Sequence, residues 1–383
     1  MRIVTLVLAA SVLLACRWPA CSAAESARPP LLKVEGKQLK TAQGTVVRLQ
    51  GVNIPSLEWS QGEHLFQSLA AASDDWGVNV IRLPLSQDRW FGHTKEKQDG
   101  GVYYRNTVRE FVRQAADKRC YVILDLHWSN AGKWGENIGQ HQMPDDNSAT
   151  FWSDVAAAYA NDPVVLFGLY NEPHHVTWQV WRDGGNVVEK NTRAPGGKLE
   201  YHSPGLQKLL EVCRAQGAKN IVLAGGLDWG YDLSGVAKGF ALSDPKGNGV
   251  LYDSHIYPVK KNRDTSVTAV ADKYAVLVGE FGPDRSDPKA FANQILQYVD
   301  QHHLHWTAWC MHPGARPCLI KDWKYTPSPF GEPVKEALRA AAAKRTTPPG
   351  RCNHQVMPAA GVKSCLDALP GGLPRFAWYA LGA

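Results

Sequence analysis

Residues 164–173 read Val-Val-Leu-Phe-Gly-Leu-Tyr-Asn-Glu-Pro. The apolar part is too short for an ordinary helix and too continuous for a strand with one wet face, so it predicts a strand covered on both sides, as in a parallel sheet. Seven further runs have the same character: Val46 to Ile54, Val78 to Leu85, Tyr121 to Trp128, Ile221 to Ala224, Val250 to Tyr257, Tyr274 to Phe281 and His305 to Met311. Between them, His64 to Asp75, Asn106 to Arg119, Ser148 to Tyr159, Leu206 to Gln216 and Pro288 to His302 carry apolar residues at helical spacing. Gly77 and Gly217 stand where a left-handed helix C-cap is wanted. Eight such units, averaging about 33 residues, predict a (β/α)8 TIM barrel.

Around the barrel, Leu31 to Thr45 reads as a short N-terminal β-hairpin that plugs its floor. The Gly- and Asn-rich stretch Asp183 to Gly205 reads as a long loop inserted before the fourth helix. Pro348-Pro349-Gly350 opens a small C-terminal extension. The expected organisation is a signal peptide over 1–24, the barrel with its hairpin over 31–343, and the extension over 344–383.

Arg2 followed by the apolar run Ile3 to Ala15 and the small residues Ser22-Ala23-Ala24 has the layout of a secretory signal peptide. The chain is therefore expected to be secreted or periplasmic, with no transmembrane span, since the run is far short of the roughly 20 residues a membrane helix needs. Leu13-Leu14-Ala15-Cys16 leaves open a lipoprotein anchored through Cys16. The formal charge of +6 falls to about +4 once Arg2 and Arg17 are removed, and no basic helix or basic aromatic module appears, which argues against nucleic acid. Of the eight cysteines, Cys120 and Cys213 lie on core patterns. Cys310 with Cys318, and Cys352 with Cys365, bracket short segments and are expected to pair in an oxidising compartment.

Polar residues ending barrel strands point into the mouth. Here they are Arg82, His127, Asn171-Glu172, His255 with Tyr257, Glu280 and Trp309. A lone carboxylate at the end of a buried strand costs several kcal/mol without a partner, so two facing one cavity call for a reason. Glycoside hydrolysis supplies one: one carboxyl protonates the leaving oxygen while the other attacks the anomeric carbon. Arg82 can hold one glutamate ionised with Tyr257 orienting it, and the other, beside Asn171, is expected to be the acid with a raised pKa. The 14 tryptophans include Trp59, Trp90, Trp128, Trp134 and Trp229 near strand ends, candidates for a sugar-stacking groove of which about half should be ordinary packing.

With these motifs the sequence resembles glycoside hydrolase family 5 of clan A, the cellulase-type retaining β-glycosidases, over roughly Leu32 to Ala340. The resemblance implies Glu172 in Asn171-Glu172-Pro173 as acid/base and Glu280 as nucleophile. Arg82, His127, Asn171, His255 and Tyr257 become supporting residues, and Trp309, Trp128, Trp229, Trp59 and Asn53 substrate-binding ones. Gly226 to Tyr231 looks like cellulase-type members, which implies a β-1,4-glucan substrate, no cofactor, no metal, and a monomeric protein. Mannan, xyloglucan and mixed-linkage glucan remain alternatives on the same scaffold. The Asp183 to Gly205 insertion and the cysteine tail depart from the family pattern and bear on acceptor-side specificity.

Two other classes compete. A metal-dependent barrel hydrolase would usually carry a His-x-His pair at strand one, where this chain has Gly51-Val52-Asn53. A non-catalytic glycan-binding barrel would not need both glutamates together with their Arg and Tyr support.

Overall fold

The computed structural model describes residues 28–346, apart from 96–98, 193 and 285–286. Each of the eight apolar runs contains one barrel strand. In order they are Gln50–Asn53, Val80–Ser86, Tyr121–Trp128, Val165–Gly168, Val222–Gly225, Val250–Ile256, Val276–Phe281 and His305–Ala308, here called strands one to eight. Neighbours pair in parallel, and strand eight pairs with strand one to close the barrel.

The two faces of each strand bury different things. Val52, Ile81, Val122, Leu124, Phe167, Val222, Val276 and Val278 join one cluster with the surrounding helices. Leu49, Val80, Tyr121, Ile123, Leu166, Ile221, Leu223, Leu251 and Leu277 join a second, interior cluster that also takes in Leu32 and Leu39. Leu32 and Leu39 belong to the antiparallel hairpin of Leu32–Glu35 and Gln38–Thr41, so the hairpin does close the barrel floor. It is one strand larger than expected. The run Val46 to Ile54 divides, giving Val46–Val47 to the floor sheet and Gln50–Asn53 to the barrel.

The five expected helical patterns correspond to helices Leu65–Ala70 continuing through Ala71–Trp76, Val102–Asp117, Asp146–Ala158, Gly205–Ala215 and Pro288–Gln301. A further helix, Gly331–Thr346, follows strand eight. The stretch Asp183 to Gly205 is not a loop. It forms an antiparallel hairpin of Gly185–Lys190 and Lys198–Ser203. Along its first strand Val187 and Glu189 are buried while Val188 and Lys190 are exposed. The alternation was invisible as hydrophobicity because one of the two inward positions is a carboxylate.

Cys120 and Cys213 are buried free thiols, as expected, with burial pushing both up to about 12. Cys310 and Cys318, expected to pair, are also free: their sulfurs donate to the carbonyls of Ala315 at 3.0 Å and Pro313 at 3.2 Å. The signal segment, Cys16, and the Cys352 and Cys365 tail lie outside the described residues. No helix among the described residues is long and apolar enough to cross a membrane.

Leu39 is fully buried in the floor cluster. Leu39→Ala should lower the unfolding free energy by about 2–5 kcal/mol in denaturant titration. Because the floor is the end of the barrel opposite the strand-end carboxylates, kcat of the surviving folded protein should stay close to the parent's.

Candidate active site

On strand three Tyr121 and Ile123 face the barrel interior and Asp125 follows in step, while a register shift against strand two leaves His127 as an extra residue between Leu126 and Trp128, its ring still meeting Asp125 and Asn171. Strand six keeps the two-residue step with Leu251, Asp253 and His255. Strand seven cannot, because Leu277 is interior and Glu280 is three residues on. One extra residue absorbs the difference. Val278 lies opposite Ser254 but Glu280 lies opposite His255, so Gly279 bulges and turns Glu280 into the mouth. A Cβ at Gly279 would stand 2.2 Å from Asp253 Oδ1, whose carboxylate accepts the Gly279 N–H at 2.8 Å. Only glycine fits this close approach without a shift of Asp253.

Arg82 is 0% exposed and its guanidinium organises what surrounds it. Nη1 donates to Glu280 Oε1 at 2.7 Å and to Asn53 Oδ1 at 3.0 Å. Nη2 donates to Asn171 Oδ1 at 2.6 Å and lies 3.0 Å from Asp125 Oδ1. Asp125 in turn holds His127 Nδ1 at 2.8 Å, and the far side of that ring, Nε2, meets Asn171 Nδ2 at 3.3 Å. Tyr257 donates its hydroxyl to Glu280 Oε2 at 2.7 Å, so each oxygen of this carboxylate has a donor. The phenol is held well above its usual range by burial and by the charges of Glu280 and Glu172.

Glu172 is held differently. Its Oε1 faces His255 Nδ1 at 2.8 Å and its Oε2 accepts from Gln140 Nε2. Burial would raise its pKa, but the hydrogen bond and charge of His255, then Gln140, outweigh this and bring it down to about 2. Burial would lower the His255 imidazole, yet the charges of Glu280 and Asp253, with the bonds to Asp253 and Glu172, carry it up to about 10. The expected raised pKa on the glutamate beside Asn171 is therefore not found: in the unliganded pair the proton rests on His255.

One oxygen or nitrogen from each of Glu172, His255 and Glu280 lies within 4.8 Å of the other two. These three are the residues that could hold a cation. A cation there would compete with the Arg82 and Tyr257 donors for Glu280 and with the proton on His255.

The aromatic candidates separate. Trp59, Trp128 and Trp309 form one wall, with centroid distances of 5.2 Å from Trp59 to each of the others and His127 stacked 5.5 Å from Trp309. Trp229 stands apart, 40% exposed, stacked on His174 at 3.5 Å. Trp90 is core, donating to Asp154 and packed on Tyr104 and Phe151, and Trp134 packs against Phe91 and His93. Asn53, expected to touch substrate, is fully buried and spends its amide on the Gly279 and Ala308 carbonyls as well as Arg82. Asp125, Asp253 and Gln140 were not singled out. The two aspartates could have been found, since each stands two residues before a mouth histidine on the same face; Gln140 carries no such signal.

Residues 40–315 match the family model for Cellulase (glycosyl hydrolase family 5). The chain belongs to this family. It is 25% identical over 321 residues to Endoglucanase A of Evansella cellulosilytica, covering 78% of this chain and 58% of that protein. It is 22% identical over 307 residues to the cellulase CelDZ1 of a Thermoanaerobacterium species, covering 74% and 71%. The family 5 chain thus spans little more than half of the first relative's length. Among solved structures, a β-glucanase from Saccharophagus degradans superposes with a TM-score of 0.64 at 24% identity, covering 85% of this chain and 98% of that one. The endoglucanase catalytic domain of Thermobifida fusca, solved with cellotetraose, gives 0.60 at 17% identity, covering 80% and 97%. These likenesses establish the shared fold.

Because its folded-state value is raised above the ordinary 6.5, His255 contributes stability that is full below about pH 6.5 and lost as pH rises through about 10. Its ring nitrogens should show the imidazolium signature by NMR at pH 8, and Glu172→Gln should move the midpoint down. A neutral His255 ring at pH 8 in the parent would contradict the ion pair.

Proposed function

We propose that this chain is a retaining endo-β-1,4-glucanase acting on cellulose or related β-glucans, with Glu280 as nucleophile and Glu172 as acid/base. The observation that carries the reading is the pair of carboxyls whose oxygens approach within 4.8 Å, each with a different set of donors. That spacing falls with the roughly 5–5.5 Å of double-displacement glycosidases and not with the roughly 6.5–9.5 Å that leaves room for a water in inverting ones. Family membership and the endoglucanase and cellulase names of the relatives support the glucan substrate.

In the first step Glu280 Oε attacks the anomeric carbon while the glycosidic C–O bond breaks, its electrons going to the leaving oxygen. The proton that oxygen takes comes from His255, which passes it to Glu172 across their 2.8 Å hydrogen bond as Glu172 hands it on, leaving His255 neutral. Arg82 and Tyr257 aim Glu280 at the carbon and stabilise its charge until it becomes an ester. In the second step water attacks the same carbon, the ester bond returns its electrons to Glu280, and the water's proton goes to the Glu172–His255 pair. Trp309 with Trp59 and Trp128 on one side, and Trp229 on the other, present faces on which glucosyl rings can stack. The barrel over 31–343 is the catalytic unit in this reading, and the Arg2 to Ala15 segment directs its export.

Glu280→Ala should abolish nearly all turnover on every substrate. Glu172→Ala should be least harmful where the leaving group departs without a proton, and added azide should then yield a β-glycosyl azide. NMR of the first-formed sugar should show retained configuration. Inversion would overturn the mechanism. Product profiling on cellulose derivatives, mannan, xyloglucan and mixed-linkage glucan should show the β-1,4-glucans hydrolysed fastest, to mixed oligosaccharides.

A further inference from the structure

Gln140 sits in the loop between strand three and helix Asp146–Ala158, and nothing in its local sequence explains why its amide should meet Glu172. The loop is pinned at both ends. Ser129 and Gly139 pair through their backbones, and Asp145 accepts from the N–H groups of Asn130 and Gly132, both at 3.0 Å, while capping the helix through Ser148.

The residues after Gln140 are held from two further sides. The Tyr170 hydroxyl bridges the N–H and C=O of His141 at 3.1 and 3.0 Å. From the inserted hairpin, Glu189 takes His141 Nδ1 at 2.5 Å and the Gln142 N–H at 3.0 Å. The Tyr201 hydroxyl takes the Met143 N–H and donates to the Met143 carbonyl, both at 3.1 Å. His141 and Glu189 are both largely buried, and each holds the other charged: burial opposes it, but their mutual hydrogen bond raises the imidazole and lowers the carboxyl. This clamp costs a buried ion pair, and the side chain it delivers to Glu172 is Gln140.

We propose that Gln140 is a positioning residue for Glu172 in the hydrolysis of the glycosyl-enzyme, and that the 185–203 hairpin serves to hold it there. The proposal rests on the reading of Glu172 as acid/base. Glu172 is ionised in this pair, so Gln140 acts by orientation: its amide N–H fixes one oxygen of the carboxylate that accepts the proton of the attacking water. In that step the water oxygen bonds to the anomeric carbon, the ester to Glu280 breaks with its electrons on Glu280, and the proton passes to Glu172. The other groups facing Glu172 are His255, the His127 ring, Glu280, Tyr257 through its charge interaction, and His174, whose Nδ1 meets the Glu172 carbonyl at 2.8 Å. Among the described residues, His255 and Gln140 make the side-chain hydrogen bonds to the carboxylate, one to each oxygen.

The test compares the parent with Gln140→Ala, Gln140→Glu, Glu189→Ala and Glu172→Ala on 2,4-dinitrophenyl β-cellobioside, whose first step needs no proton. Gln140→Ala should lower kcat and KM together by about tenfold, the loss of one charge-assisted hydrogen bond, with kcat/KM nearly unchanged, a pre-steady-state burst, and azide restoring kcat. The carboxyl signal of Glu172 by NMR should titrate about one pH unit higher than in the parent. Gln140→Glu keeps the shape but sets a carboxylate against Glu172, so it should be worse than alanine. Glu189→Ala should show the same split more weakly and add little in the double variant. If Gln140→Ala changes kcat/KM and kcat alike, or Gln140→Glu is milder than alanine, the positioning role is wrong. If Glu189→Ala matches the parent, the hairpin's part is wrong. Glu172→Ala separates the two layers: should it lack the split and the azide rescue, the reading of Glu172 itself fails, whatever Gln140 does.

Discussion

A guanidinium with no access to water, set inside a closed barrel, constrains everything near it. Arg82 cannot shed its charge, and stripping an ion of water costs several kcal/mol even after relaxation. The barrel meets that cost with Glu280, Asp125, Asn53 and Asn171, drawn from strands seven, three and one and from the turn after strand four. The surrounding acids raise its affinity for its proton further, so the charge is permanent over any working pH. A permanent charge at the centre fixes where the carboxylates must lie. Removing any one partner would leave a buried ion short of a donor or acceptor, which is why the mouth is a network and not a set of separate side chains.

Much of this was legible because a parallel barrel writes itself in two-residue steps. Strand six, and strand three as far as Asp125, keep that step, so Asp125, Asp253 and His255 follow from the apolar residues at their bases, while His127 sits at a register shift against strand two. Strand seven breaks the rule, and the break is Gly279. From sequence, a glycine inside an apolar strand suggests a bulge but does not say in which direction the register shifts; the opposing Asp253 carboxylate decides that. The inserted hairpin was missed for a different reason. Its strands bury Glu189 alongside Val187 and Tyr201, so the inward face does not read as apolar, and the Asn and Gly content of its flanks reads as loop. The Glu172 protonation was misjudged because strand-end reading placed it near Asn171 and left out His255 as its direct partner, although both residues were in view.

The two glutamates end up with supports of unlike rigidity. Glu280 is gripped by Arg82 from the barrel centre and by Tyr257 from just beyond the next strand, elements that cannot move without opening the sheet. Glu172 follows strand four on a short turn, and its carboxyl is held by one barrel residue, His255, and one loop residue, Gln140. In the proposed mechanism, stiffness at Glu280 suits a nucleophile that reaches one carbon along one line, and some compliance at Glu172 suits an acid/base that serves first the leaving oxygen and then a water at nearly the same place.

That division also decides where the family scaffold can vary without losing its chemistry. A substitution that displaced Asp125 or Asn53 would act through Arg82 on Glu280 and, in the proposed mechanism, disturb bond making in both steps. Changes in the 129–143 loop or the 185–203 hairpin reach the Glu172 carboxylate through one amide, and the turn that carries Glu172 through Tyr170 and the His174 N–H, with no hydrogen bond to Arg82 itself. Under the proposed mechanism, an inserted element that docks on the loop and not on the barrel can adjust proton transfer separately from nucleophilic attack. The contacts of Glu189 and Tyr201 fall on His141, Gln142 and Met143 and on no strand residue of the mouth. The hairpin is placed where it can act on one half of the site alone.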